Sequence, residues 1–214
     1  MPKLNCLFFL LTFGSVGICQ AQFYLDAYAG VNNSRVDIRN YPDELNNAEG
    51  RTDLFLGLAP GFPLSDRWSV LLNTQFSRRG YAIREVDDTR SQLRSSYLDF
   101  MPEIEYRPVN FLAIGLGVYY GAQVLEEFKN DDDDWGSTSE LSFEVLTAGD
   151  FGMVGKLRFN YRNYFAFVRY LYGFQNISNL TFTNFDGEEV REVKLLNRSL
   201  QVGVGYVFDF GEAN

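Results

Sequence analysis

The chain has 214 residues, a net charge of −9 and no histidine, with 16% aromatic residues and 19 glycines. The acidic balance argues against a nucleic-acid partner, because phosphate binding wants positive charge. Without histidine there is no Ser-His-Asp triad and no zinc-histidine motif, and the two cysteines, Cys6 and Cys19, lie so close to the start that a disulfide framework or thiolate metal site is not expected.

Residues 1–21 read as a secretory signal: Lys3, an apolar core from Leu7 to Ile18, and Cys19-Gln20-Ala21 as a small-x-small cleavage site. The apolar run is too short to span a bilayer as a helix. Acylation at Cys19 is the competing reading, disfavoured by the bulk of Ile18. Residues 22–214 are then expected to form one domain, and no later segment is apolar enough for a transmembrane helix.

From residue 23 onward the chain alternates. The first strand sets Phe23, Leu25, Ala27, Ala29 and Val31 against Tyr24, Asp26, Tyr28, Gly30 and Asn32. After a polar stretch near 39–50, the second opposes Leu54, Leu56, Leu58 and Phe62 to Asp53, Phe55, Gly57, Ala59 and Gly61. The turn Pro63-Leu64-Ser65-Asp66 leads to the third, with Trp68, Val70, Leu72, Thr74 and Phe76 against Ser69, Asn73, Gln75, Ser77 and Arg79. A polar loop near 85–92 precedes the fourth, where Leu98, Phe100, Ile104 and Tyr106 oppose Tyr97, Asp99, Met101, Glu103 and Glu105. Arg107 to Asn110 reads as another short turn.

The fifth strand alternates Leu112, Ile114, Leu116, Val118 and Tyr120 with Ala113, Gly115, Gly117, Tyr119, Gly121 and Gln123. The longest loop, about 126–144, holds Asp131, Asp132, Asp133, Asp134 and Trp135. The sixth strand carries Asp150, Lys156, Arg158 and Asn160 behind Phe151, Met153, Leu157 and Phe159. Arg162-Asn163 turns the chain into the seventh, with Arg169 among Phe165, Phe167, Leu171 and Gly173. A polar loop near 179–194 leads to the last strand, Ser199 to Phe210.

This pattern predicts an all-β protein: an eight-stranded antiparallel up-and-down transmembrane β-barrel with short periplasmic turns and long extracellular loops. Connections alternate long and short, and each strand is near the length a tilted strand needs to cross a bilayer. A soluble lipocalin-type barrel would be greasy inside and charged outside. Here one face of every strand is nearly free of charge, while the other carries Asp26, Asp53, Arg79, Asp99, Glu103, Glu105, Asp150, Lys156, Arg158 and Arg169. Those ten are expected to point into the lumen and pair there, since unpaired charges would be costly in a confined space. Phe23, Trp68, Tyr106, Tyr120, Tyr172 and Phe208, near strand ends, suit interfacial girdles.

In Gln201-x-Gly203-x-x-Tyr206-x-Phe208 the last strand resembles the C-terminal signal read by the outer-membrane barrel-assembly machinery. With the short leader and eight Gly- and Tyr-rich strands, the chain resembles the PorT-like outer-membrane β-barrel family of the Bacteroidetes lineage, and more distantly the OmpA- and OmpX-type barrels. The resemblance implies a bacterial outer-membrane location, contact with lipid and lipopolysaccharide, insertion by that machinery, and for some members a place in a protein secretion machine.

No residue pattern points to catalysis or to a cofactor. Glu103 and Glu105, two apart on one face, are candidates for acid/base work but fit ion pairing better. Asp131 to Asp134 form a weak candidate for divalent cations, lacking the spacing and glycine of an EF-hand loop. The functions left open are a non-enzymatic surface barrel acting in adhesion or envelope integrity, an accessory component of a secretion machine, and a narrow pore. For the pore, eight strands leave little free lumen.

Overall fold

The structure, a computed structural model, describes residues 23–39, 48–84, 90–130, 135–137, 149–177 and 194–210. The leader at 1–21 and the aspartates Asp131–Asp134 lie outside the described residues.

In the lipid-facing stretches, residues alternate between β-branched or aromatic side chains and small or polar ones, which suits a pleated ladder with two different solvents on its faces. The strands are β1 (Tyr24–Arg39), β2 (Ala48–Pro63), β3 (Trp68–Arg84), β4 (Arg90–Val109), β5 (Leu112–Asn130), the two-residue β6 (Gly136–Ser137), β7 (Gly149–Tyr161), β8 (Tyr164–Gly173) and β9 (Lys194–Asp209). All pairings are antiparallel, each of the eight long strands pairs with its sequence neighbours, and β1–β9 closes the ring from Tyr24↔Asp209 to Arg39↔Lys194. The protein is a closed eight-stranded antiparallel barrel that crosses the membrane, with no helix among the described residues.

The apolar face points outward. Leu54, Leu116 and Val204 are 69%, 64% and 66% exposed, and the alternate positions Phe55, Tyr119 and Gln201 are buried in the lumen. In the bilayer those exposed side chains meet lipid. Aromatic pairs mark the short-turn end of the belt: Phe23 on Phe210 at 5.1 Å, Trp68 on Tyr106 at 4.7 Å and Tyr164 on Tyr206 at 5.2 Å between centroids. The turns there are tight; Arg162, at the β7–β8 hairpin, takes φ 54°, the left-handed region that lets two residues reverse the chain.

Several strands run further than alternation indicates. β1 continues to Arg39, β2 starts at Ala48, β3 reaches Arg84, β4 starts at Arg90, β5 reaches Asn130 and β9 starts at Lys194, so the polar stretches beside the expected loops belong to the ladder. Backbone pairing continues above the lipid, where no apolar face is required and the period-two pattern fades. At the other end, Arg107 and Pro108 lie inside β4 and the turn is confined to Asn110 and Phe111. β2 shifts register between Gly50 and Phe55. Across that bulge, β1 side chains bond directly to β3: Asn32 Nδ2 donates to the Arg78 carbonyl at 2.7 Å, Ser34 Oγ donates to the Gly80 carbonyl at 3.0 Å, and the Gly80 N–H donates back to Ser34 Oγ at 2.9 Å.

Candidate functional site: a cross-linked lumen and a clamped rim

The lumen is filled in layers. At the periplasmic end, β7 presents Lys156 and Arg158 to the acids of β1 and β4. Arg158 pairs with Asp26 and lies 3.8 Å from Glu105, while Lys156 Nζ sits 2.6 Å from Glu103 and 3.3 Å from Glu105. Arg169, on β8, reaches Glu103 at 3.2 Å and donates to Asn73 Oδ1 at 2.9 Å and Gln75 Oε1 at 3.2 Å. Three cations thus face three carboxylates, so the charges of this layer cancel.

Beside them sits an aromatic plug. Tyr28, Phe55, Ala59, Leu71, Phe165 and Phe167 pack into one buried cluster, with Tyr28 edge-on to Phe167 at 5.5 Å. The Arg169 guanidinium lies 4.9 Å above Phe167 and 5.3 Å above Tyr28. Glycine makes room for these rings: a Cβ at Gly203 would stand 2.7 Å from the Phe167 ring, and one at Gly57 would stand 2.7 Å from the Tyr28 ring.

The outer layer is built on Arg79. Its guanidinium bridges Asp99 at 2.5 Å and Asp150 at 3.0 Å and lies within cation–π range of Tyr97 and Tyr119. Gln75 and Ser77 donate to Asp99 at 3.0 and 2.7 Å; Tyr119 and Asn197 donate to Asp150 at 2.9 and 3.0 Å. Two carboxylates are held by one cation and four neutral donors, a number that offsets much of their desolvation. Above this layer Val36, Tyr81, Leu93, Ile177 and Leu195 form a second apolar cluster.

Of the ten expected lumen charges, nine are buried in these layers. Asp53 also faces inward, opposite Asn32, above those layers, and accepts from Arg51 at 2.6 and 3.1 Å. Glu103 and Glu105 share Lys156, which leaves neither free for acid/base work. Gln201 lies in the lumen, while Tyr206 and Phe208 meet edge to face at 4.9 Å on the outer wall, at the periplasmic girdle. Among the described residues no group of His, Cys, Asp or Glu is arranged to hold a metal.

The rim leaves no signature in the period-two pattern. The Trp135 ring is sandwiched between the guanidiniums of Arg51 at 4.6 Å and Arg94 at 4.1 Å. Arg51 also donates to Gln92 at 2.8 Å, and Arg94 makes a two-pronged pair with Glu127, both bonds 2.8 Å. The hydrogen bond from Arg94 is the chief cause holding the Glu127 carboxyl below its ordinary value. Next to the sandwich, β6 pairs with β5 at Glu127 and Phe128. Residues 135–137 are thereby pinned to β2, β4 and β5. No spacing rule links Arg51, Arg94 and Trp135, because the bulge in β2 and the stagger of the barrel bring them together.

Solved structures with similar folds include Ail, the attachment invasion locus protein of Yersinia pestis, 16% identical over 87% of this chain and 99% of that one, with a TM-score of 0.46. Neisserial surface protein A is 13% identical over 88% and 97%, with a TM-score of 0.45. The outer membrane protein AlkL, determined in lipid bilayers, is 14% identical over 94% and 96%, with a TM-score of 0.47. No curated protein matches the chain. The sequence profile of the outer membrane protein beta-barrel domain family matches residues 20–179, so the chain, a closed barrel apolar outside and charged within, belongs to that family of outer-membrane proteins.

Proposed function

We propose that this protein is a non-enzymatic surface barrel of the outer membrane, acting through its extracellular rim and loops in surface interaction or envelope integrity. The observation that carries the reading is the lumen: ion pairs, an aromatic plug and an apolar cap succeed one another along the axis, which argues against a passive pore. The construction of the protein outside the bilayer supports the same reading. Strands extend past the lipid, and a cation–π sandwich ties down the chain at Trp135. The Gly- and Tyr-rich strands and the aromatic final strand support a PorT-like member of that family, with a leader at residues 1–21 and the 201–208 motif read at insertion.

The test compares cells producing the wild type with cells in which residues 138–148 are replaced by a Gly-Ser linker of equal length. We expect the linker variant to keep its heat-modifiable mobility in gels and to lose surface attachment or detergent resistance. Retention of every surface phenotype, together with discrete single-channel conductance of the wild type in planar bilayers, would overturn the reading in favour of a pore.

A further inference from the structure

Above the lipid, the outward row of β1 continues as Asn33, Arg35, Asp37 and Arg39, beside Arg198 of β9 and Tyr172 of β8. Arg198 stands ten residues from Phe208 of the periplasmic girdle, on the same face of β9. At about 3.3 Å per residue and a tilt of about 40°, that places it about 25 Å higher, the height of the apolar band of an outer-membrane barrel. The group therefore lies at the level of the outer-leaflet headgroups.

Printed contacts and register gather these side chains on one patch of wall. The Arg198 guanidinium is buried against the Tyr172 ring, 3.7 Å from its centroid, and reaches Asp37 Oδ2 at 3.0 Å. Arg39 reaches the same oxygen at 3.3 Å and donates to the Tyr172 hydroxyl at 3.4 Å. Arg35 is exposed directly across from Arg198 in the β1–β9 register, and among the described residues it forms no ion pair. Three guanidiniums thus stand around one carboxylate, a surplus of two positive charges on a chain whose net charge is −9. Like charges on directly opposite residues repel, so the Arg35–Arg198 rung costs stability unless an anion joins it.

We propose that Arg35 and Arg39 bind the phosphate of an outer-leaflet lipid headgroup, with Arg198 as the buried floor of the site. A phosphate monoester carries a charge of about −1.5 to −2 and three acceptor oxygens, which matches the surplus. Planar guanidiniums suit it through charge-assisted hydrogen bonds. The phosphate arrives on a lipid because Val31, Leu200 and Tyr172, directly below, offer an exposed apolar wall to its acyl chains. This goes beyond the loop-centred reading above, since the site lies on the outer wall of the strands.

The experiment is native mass spectrometry of the full barrel in neutral detergent, titrated with phosphatidic acid, whose headgroup is a bare phosphate monoester, or with diacylglycerol, which lacks it. We expect saturable retention of phosphatidic acid over diacylglycerol, with an affinity weakened about tenfold in Arg35→Gln or Arg39→Gln, the loss of one charge-assisted bond. Both variants should keep the wild-type heat-modifiable band, since both side chains are exposed. Arg67→Gln, which removes an exposed arginine from the β2–β3 turn at the periplasmic end, should bind as the wild type does. Equal retention of the two lipids, affinities unchanged in both cluster variants, or an equal loss in Arg67→Gln overturns the proposal. Displacement of the lipid by an equal concentration of inorganic phosphate would assign the site to a soluble anion and overturn it as well.

Discussion

The barrel inside the bilayer and the barrel above it obey different rules, although the same strands build both. Between Leu112 and Tyr120, β5 alternates without a fault: lipid outside, lumen inside. Above Gln123 the β4–β5 ladder slips, Val124 and Leu125 are exposed one after the other, and Glu127 turns to Arg94. On β9 the residues from Leu195 to Ser199 are buried in succession, on both faces of the strand. Lipid is a solvent that cannot hydrogen-bond, so within it every outward side chain must be apolar and every backbone group must pair along the ladder. Water lifts both demands. The rim can then bulge, bury polar side chains on either face, and let Asn32 and Ser34 bond to the β3 backbone where β2 slips.

Four perturbations would sharpen or break this contrast. The largest effect is expected inside. Arg79→Ala leaves Asp99 and Asp150 buried without their shared cation, and should cost about 3–5 kcal/mol in urea unfolding of the membrane-reconstituted barrel. A loss below a tenth of that range would mean that the neutral donors alone hold the two carboxylates. Next, Leu116→Arg on the lipid face should cost about 2–4 kcal/mol, while Leu125→Arg, outward on the same strand above the slip, should cost no more than about 1 kcal/mol. Equal costs at the two positions would erase the boundary drawn here.

A smaller, local effect is expected at the rim. Trp135→Ala removes the ring between two guanidiniums, worth about 1 kcal/mol, and should speed proteolysis within 131–148 while leaving the heat-modifiable band intact. The same clamp predicts that deleting residues 130–136 loosens the rim while the transmembrane ladder stands. The smallest effect is that of pH. Because the folded Glu127 carboxyl is held below its ordinary value of 4.5, its pair with Arg94 contributes fully above pH 4.5 and is lost as pH falls through the lower folded value. The loss should be about 0.2–1 kcal/mol, since the pair is partly exposed, and Glu127→Gln should flatten that part of the pH–stability curve.

What the sequence made legible was set by the same two solvents. The faces of Leu112–Tyr120, Tyr164–Gly173 and Leu200–Phe208 could be read because lipid imposes a period of two. Alternation also places Asp26, Glu103 and Arg158 in the lumen, but it does not say that Arg158 meets Asp26, or that Arg79 takes Asp150 as well as Asp99. Those partnerships depend on the stagger of strands around the ring. Asp53 keeps the inward face that alternation gives it, opposite Asn32, but its pairing with Arg51, where β2 slips against β3 between Gly50 and Phe55, leaves no trace in the pattern. Arg107 was hidden differently: its neighbour Pro108 suggested a turn, and the strand continues through it.

The bonds across the lumen join parts of the chain far apart in sequence. Arg158 and Asp26 are 132 residues apart and Arg169 and Asn73 are 96 apart; at the β1–β9 seam, Ser199 bonds to Asn32, 167 residues away. None of these contacts can form until the sheet has curled nearly shut. A half-curled sheet entering the bilayer would drag naked charges into oil, and only the arrival of the last strand lets them find one another. Crossing the membrane and closing the ring should therefore be coupled, because these pairs exist only once the ring is closed. A barrel wired in this way should be slow to make and slow to undo.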